Sequence, residues 1–377
     1  MPSKPIHPVK APAKTAAKST PKAAPQDVDS APKPKHFAVI GAGLAGITCA
    51  RTLVQAGHRV MVFEKSRGAG GRMSTRDTAF GTFDHGAQYF TVRDARFQQA
   101  LDTVPGLCRP WSASSVRVLD ELGRVASAAP LSKDPHWVPV PGMNALAKRW
   151  AEPLKVNNQL VLETRVTGVA RDALNARQWQ LQTQGPDDAR HVYSGFDGVL
   201  MAMPSVQTHD LLVASTLAPK FVKQITQVQV APCWTLMLAF PQAMQPGLGS
   251  LGPQWNAARS SHHRIAWLAR ESSKPQRGAI ERWTVQASAA WSHEHLEDEP
   301  QRVQAKMLRA FSEVTGIHAE PSHVEIQRWR YAKTSQPLGQ THLWDSKEGL
   351  GVCGDWCLGH RVENAFVSGL ELALAVV

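Results

Sequence analysis

Three glycines at Gly41, Gly43 and Gly46, an acid at Glu64 and a Gly70-Gly71-Arg72 run shortly after it are residue types suited to holding a diphosphate. In that spacing the first glycine makes a tight turn, the second lets backbone approach phosphate oxygens, and the third lets a helix pack closely on a strand. Glu64 stands 18 residues past Gly46, where a carboxylate accepts hydrogen bonds from ribose hydroxyls. Arg72 offers the fixed, bidentate donor geometry that phosphate oxygens favour. Arg67 reads equally as a phosphate contact or a loop charge, and Arg76 reads as a loop charge.

These groups need a specific support. Phe37 to Ile40 is a short apolar run suited to a buried parallel strand, and Leu44 to Gln55 reads as a helix ended by Gly57. Arg59 to Phe63 reads as a second buried strand with Glu64 at its tip. Strand, glycine turn, helix, strand and acid in that order form a dinucleotide-binding unit, with the helix N-terminus presenting free N–H groups and partial positive charge to a pyrophosphate. Leu44, Ala45 and Lys65 fall within the same cofactor-binding set.

A second glycine loop after the acid is not needed for NAD alone. Gly71 and Arg72 resemble the second half of the extended fingerprint of the FAD-dependent amine oxidase superfamily, whose arginine lies along the FAD pyrophosphate. Further segments resemble the same cradle. "FDHGAQYFT" (83 to 91) is similar to the stretch that passes the isoalloxazine ring, with Gly86, Ala87 and Gln88 allowing close approach. "LETRVTGVARD" is strand-like, and Val166 matches the position whose backbone meets adenine; "FDGVLMAMP" reads as a buried strand halted by Pro204. The C-terminal "GLGVCGDWCLGHRVENAFVSGLELALAVV" supplies a strand, Gly354-Asp355, a loop and a closing helix beginning near Val362. In relatives the aspartate binds the ribitol chain and the helix N-terminus points at the flavin, where its dipole stabilises the reduced ring; read alone, Asp355 is a helix cap or a turn residue.

"FEKSRGAGGRMSTR", "FDHGAQYFT", "WLARESSKP", "RWTVQASAAWS", "QRWRYA" and "CGDWCLGHRVENAFVSG" together resemble the bacterial renalases over residues 36 to 377. Asn364 departs from that pattern, because relatives often carry glycine there. The resemblance implies oxidation of isomeric dihydro-NAD(P), the 2- or 6-dihydro forms, by hydride transfer to flavin N5, with oxygen reduced to hydrogen peroxide. It implies non-covalent FAD, since no cysteine lies where relatives form a thioether. It places Tyr89, Phe90, Thr91, Val92 and Arg93 on the substrate pocket, with Arg270 and Arg361 as further partners for substrate phosphates.

The implied fold is α/β: a Rossmann-like FAD-binding domain, discontinuous in sequence (36–91, 155–205, 325–377), with a second mixed-sheet α+β substrate domain (92–154, 206–324). "WTLMLAF", "RIAWLAR" and "RWTVQAS" read as its strands, and residues 300 to 316 as a helix burying Val303, Met307, Leu308 and Phe311. Of twelve tryptophans, Trp234, Trp267, Trp291 and Trp356 are candidate pocket walls, and Trp234 belongs to the expected substrate set. No nucleophile elbow, triad or paired-carboxylate motif stands out, as suits flavin chemistry, where the cofactor carries the reaction.

Formal net charge is +11. Residues 1–35 hold seven lysines and two aspartates and are Ala, Lys or Pro at 22 of 35 positions, which reads as a disordered basic tail. Its composition is neither that of a secretory signal nor that of a transit peptide, and no membrane span is expected. Five cysteines without metal spacing read as reduced thiols in a cytoplasm. "HEH" at 293–295 reads as the polar start of a helix, and no metal site is expected. The partners implied are a dihydro-NAD(P) substrate and oxygen, with neither membrane nor nucleic acid. Two other readings stay open: an oxidase of small amines, and a non-catalytic flavin-binding or nucleic-acid-associated protein working through the tail.

Overall fold

The two apolar runs of the fingerprint form β1 (His36–Ile40) and β2 (Arg59–Phe63), with α1 (Leu44–Gln55) between them. β1 pairs in parallel with β2, Phe37 opposite Val60 and Ile40 opposite Phe63. Phe37 to Ile40 are all buried; covering both faces of a parallel strand removes the polar–apolar alternation of a half-exposed one. The computed structural model describes residues 1–3, 33–112, 116–128, 134–244 and 255–377. The tail expected over residues 1–35 therefore falls almost wholly outside the described residues.

Distant segments complete the first sheet. Gly198–Met201 pairs in parallel with the other edge of β1, and Leu350–Val352 pairs in parallel with it in turn. Leu343–Asp345 and Leu160–Val161 close the two ends of this six-stranded sheet. The closing helix, Val362–Val376, packs on α1 so tightly that a Cβ on Gly369 would overlap the Ala45 backbone. Ala145–Val156 joins the same core through Leu146, Trp150, Ala151 and Leu154.

A seven-stranded sheet runs in the order His323–Gln336, Gln229–Phe240, Glu281–Ala287, Ile265–Arg270, Ala257–Ser260, Val116–Leu119, Val125–Ala128. Its described pairs are antiparallel except Ala257–Ser260 with Val116–Leu119. It is the mixed sheet anticipated from the aromatic and β-branched runs. The helix Pro300–Thr315 covers it with Val303, Met307, Ala310 and Phe311, while Leu308 is only partly buried.

Two boundaries differ from expectation. His323–Gln336 pairs with Gln229–Phe240 along nearly its whole length, so the segment belonging to the second sheet runs on past residue 324 to Gln336. "HEH" ends a helix rather than starting one: His293 and Glu294 close Ala289–Glu294, and His295 caps it while reaching Asp298 at 3.0 Å. Among the described residues no group of three or more His, Cys, Asp or Glu side chains is arranged to hold a metal. No helix among them is long and apolar enough to cross a membrane.

Candidate active site

Each fingerprint glycine meets a different demand. Gly41 has φ +106°, and a Cβ there would lie 2.7 Å from the Ala202 carbonyl oxygen. A Cβ on Gly46 would overlap the Gly41 carbonyl, so glycine lets α1 sit down on the turn. Around Gly43 the space a Cβ would occupy is open for 4 Å, and no side chain caps the α1 N-terminus. Its N–H groups are left for a ligand.

Glu64 is only 7% exposed, and its carboxylate is already held. It accepts hydrogen bonds from Ala42 N and Ser66 N, both at 2.8 Å. The acid thus clamps the glycine turn to the tip of β2 while its remaining lone pairs stay available to a ribose. The second glycine loop lies on the first: Gly70 N donates to Ala42 O at 2.9 Å, and a Cβ on Gly71 would come within 3.2 Å of Gly43 Cα.

Arg72 and Asp355, expected to hold different parts of the cofactor, are joined to each other. The guanidinium forks onto both carboxylate oxygens, Nη1 reaching Oδ2 at 3.0 Å, and also reaches the Ala332 carbonyl at 3.4 Å. Asp355 opens a short turn after Gly354, so the pair bridges the second glycine loop to the entry of the closing helix.

The 85–91 segment is pinned at its backbone. A Cβ on Gly86 would overlap the Arg72 carbonyl, and Ala87 N donates to that same oxygen at 2.9 Å. The His85 carbonyl accepts from Trp329 Nε1 at 2.8 Å, and Gly86 O from Gln286 Nε2 at 2.8 Å. Gln88 turns inward, donating to Asp84 O and Gly86 O and accepting from Lys274 Nζ at 3.3 Å.

Behind this segment lies a buried ionic cluster. Asp84 accepts from Thr75 Oγ1 (2.8 Å), Met143 N (2.8 Å), Lys274 Nζ (3.1 Å) and Arg277 Nη2 (2.7 Å), and the Asp84, Lys274 and Arg277 side chains are all 0% exposed. Lys274 also donates to Glu271 at 2.9 Å. Burial pushes the Asp84 pKa upward, but Lys274 and Arg277 outweigh it and hold the carboxyl below its ordinary value. Burial raises the Glu271 pKa, with Lys274 and Arg277 opposing and the Asp84 charge adding to the rise.

A cavity of about 2570 Å³ opens past the carboxyl ends of β1, β2 and Leu350–Val352, where parallel α/β sheets bind ligands. It is more than twice the roughly 1,000 Å³ upper range of an ordinary small-molecule pocket, leaving room for an extended cofactor and a second molecule. All the expected cofactor residues line it: Gly41, Gly43, Leu44, Ala45, Glu64, Lys65, Gly71, Arg72, Gly86, Ala87, Gln88, Val166, Gly354, Asp355 and Val362, except Gly46, which works through packing. Twelve lysines and arginines border it, against five aspartates and glutamates.

The substrate-side set divides. Tyr89, Phe90, Thr91, Arg93 and Arg361 border the cavity, although Phe90 is 3% exposed and mostly packs into the core. Val92 packs against that same core and is not on the cavity wall. Trp234 is a correction: at 1% exposure it packs in the second sheet's core and donates to His295 O at 3.0 Å. Trp291 and Trp356 are likewise core, leaving Trp267 as the wall among the four. Arg270 turns away to Glu281, 3.1 Å distant, and Arg93 meets Asp134 at 2.6 Å. Asn364 borders a separate small depression, so its size does not intrude on the large cavity.

The structure adds wall residues that the sequence reading missed. His136 stacks on Tyr89 with ring centres 3.9 Å apart, and Trp267 and Trp111 stand 5.8 and 6.3 Å from the same tyrosine. Burial, then Arg259, lowers the His136 pKa. His85, stacked on Trp329, is pushed down to about 4 by burial and then by Arg76, so both imidazoles are neutral at neutral pH.

Residues 39–104 match an NAD(P)-binding Rossmann-like domain, and residues 127–377 match the flavin containing amine oxidoreductase family. The chain belongs to the flavin containing amine oxidoreductase family. Among solved structures this amine oxidoreductase resembles a putative protoporphyrinogen oxidase from Exiguobacterium sp. 255-15, with TM-score 0.69, 13% identity and coverage of 91% of this chain and 99% of that one. Cyclohexylamine oxidase from Brevibacterium oxydans IH-35A gives TM-score 0.67 at 13% identity, over 91% and 99% of the two chains. These likenesses concern the fold. A putative L-amino-acid oxidase, YobN, from Bacillus subtilis is 53% identical over 47 residues, 12% of this chain and 10% of its own. The chain thus aligns with only about a tenth of the length of such curated relatives. FAD is the cofactor, and the residues present fit it: an uncapped helix N-terminus beside open space at Gly43, and a held acid at the tip of β2.

Proposed function

We propose that the protein is a renalase-type oxidase that converts 2- or 6-dihydro-NAD(P) to NAD(P)+ and reduces oxygen to hydrogen peroxide. Bound FAD supplies the hydride acceptor and the path of electrons to oxygen. The chain's own residues bind and orient. Gly41, Gly43 and the α1 N-terminus would receive the cofactor's pyrophosphate, with Gly46 letting α1 pack on the turn, while Glu64 would hold its adenosine ribose and Val166 its adenine. The Arg72–Asp355 pair joins the second glycine loop to the turn before the closing helix and would flank the cofactor's path there. The pinned 85–89 segment holds one wall of the reaction space at fixed position.

The observation that carries this reading is the excess of cations around a cavity with room for two ligands. A dinucleotide brings its own phosphates, whereas an amine is repelled by such a field. Tyr89, His136 and Trp267 offer a flat aromatic face to a nicotinamide ring. That aromatic wall also supports a second reading, oxidation of a small amine, since a cation is attracted to aromatic faces. Peroxide release is to be measured with 2- and 6-dihydro-NAD(P) and with a panel of primary amines and polyamines. Turnover of a dihydro isomer with bleaching of the flavin band at one equivalent under anaerobic conditions is expected; bleaching by amines alone overturns the proposal in favour of the second reading.

A further inference from the structure

We infer that Lys333, His360 and Arg361 form an anion subsite that takes the diphosphate of the dinucleotide substrate. The inference rests on the proposed function and adds the residues that would select a dinucleotide over a smaller dihydronicotinamide. All three border the large cavity, and all three are exposed toward it or toward solvent. Lys333 lies in His323–Gln336 opposite Ala231, which is itself on the cavity wall. Arg361 is the N-cap of the closing helix, whose N-terminus has no side-chain cap. His360 hydrogen-bonds the backbone of Thr334, next to Lys333, and after burial the charges of Lys333 and Arg361 are what lower its proton affinity. The three groups therefore share one corner of the cavity.

Among the described residues their charges, like those of Lys65, Arg67, Lys148, Arg165 and Arg259 on the same wall, are in no salt bridge, whereas other wall cations are already paired. Arg72 is neutralised by Asp355, Arg76 by Glu325, Arg93 by Asp134 and Arg330 by Glu297. The Lys333 and Arg361 charges reach His360 together and Asp355 offsets them only in part, so an incoming anion is favoured there. The cofactor's pyrophosphate is already provided for at the α1 N-terminus, which follows β1. The closing helix follows Leu350–Val352, with Gly198–Met201 lying between that strand and β1. The two helix N-termini thus rise from different strands of the sheet, and Arg361 stands at the second of them.

The test uses holoenzyme carrying Lys333→Gln with Arg361→Gln, and Arg361→Lys as the charge-conserving control. Both are assayed on dihydro-NAD and on the matching dihydronicotinamide riboside, which has no phosphate, and apoprotein is titrated with FAD by fluorescence. Loss of charge-assisted hydrogen bonds predicts a roughly tenfold to hundredfold fall in kcat/KM for the dinucleotide. It should sit in KM, with a far smaller change for the riboside, recovery in Arg361→Lys and FAD affinity held. An equal fall on both substrates, or a parallel loss of FAD affinity that would assign the corner to the cofactor, overturns the inference. If wild type oxidises neither compound, the proposed function fails separately. The subsite is then read from NAD+ binding to the holoenzyme by perturbation of flavin absorbance, and NAD+ binding that is absent, or indifferent to the double variant, sinks it.

Discussion

Asp84 shows how a single buried carboxylate can hold a functional wall in place. It accepts from four donors with no exposure, and removing one member of such a group leaves charges uncompensated in a low dielectric. Asp84→Asn should therefore destabilise the fold by about 3–5 kcal/mol at pH 7, read by urea unfolding. Because the Asp84 pKa is lowered in the folded state, its contribution is present above the unfolded value of about 3.8 and disappears as pH falls through the folded value. The stability gap between wild type and variant should therefore narrow below pH about 3.8; a gap that is constant with pH would show that Asp84 is not ionised in the fold. Glu271 runs the opposite way, since burial raises its pKa and its protonated form is the one the fold favours. None of this cluster was visible in the sequence. Asp84 falls in "FDHGAQYFT" and Glu271 and Lys274 in "WLARESSKP", but nothing local in either segment says that they meet, and only long-range packing brings them into one interior.

At the scale of elements, β1, α1 and β2 were legible almost to the residue, because a buried strand, a glycine turn and a helix each impose a local pattern. The Lys333 corner and the Tyr89–His136 stack were not, because they join segments far apart in the chain through tertiary packing alone. Trp234 was misplaced for a related reason: a tryptophan in an apolar strand looks the same whether its face turns to a cavity or to a covering helix. The glycine turn gives a prediction that separates its two roles. Gly43→Ala has empty space to grow into, so the protein should fold with unchanged melting temperature yet bind FAD roughly tenfold or more weakly as backbone–phosphate contact is lost. Gly46→Ala must displace the Gly41 carbonyl and should cost about 1–3 kcal/mol of stability. Calorimetry of the apoproteins together with FAD titration tells them apart; equal effects of the two substitutions on both quantities would reject this division of labour.

The whole molecule draws its two sheets from interleaved stretches of chain, so neither half can be cut out as a continuous piece. What can be removed is the lysine-rich leader. Pro34–Val377 holds together as a unit containing both sheets and the cavity, and β1 begins at His36. Deleting residues 1–33 should leave kcat and KM within twofold of the full chain (roughly 0.4 kcal/mol at most). A larger loss would bring the tail into the mechanism.

The dry contact of Asp84 with Lys274 and Arg277 rivets the hairpin beside the cofactor loop to the far sheet. Swinging the two apart would strand bare ions where no water can reach them. Opening this enzyme by parting those two elements is thus opposed, and ligand association should follow a single kinetic phase with no slow movement of that joint after encounter.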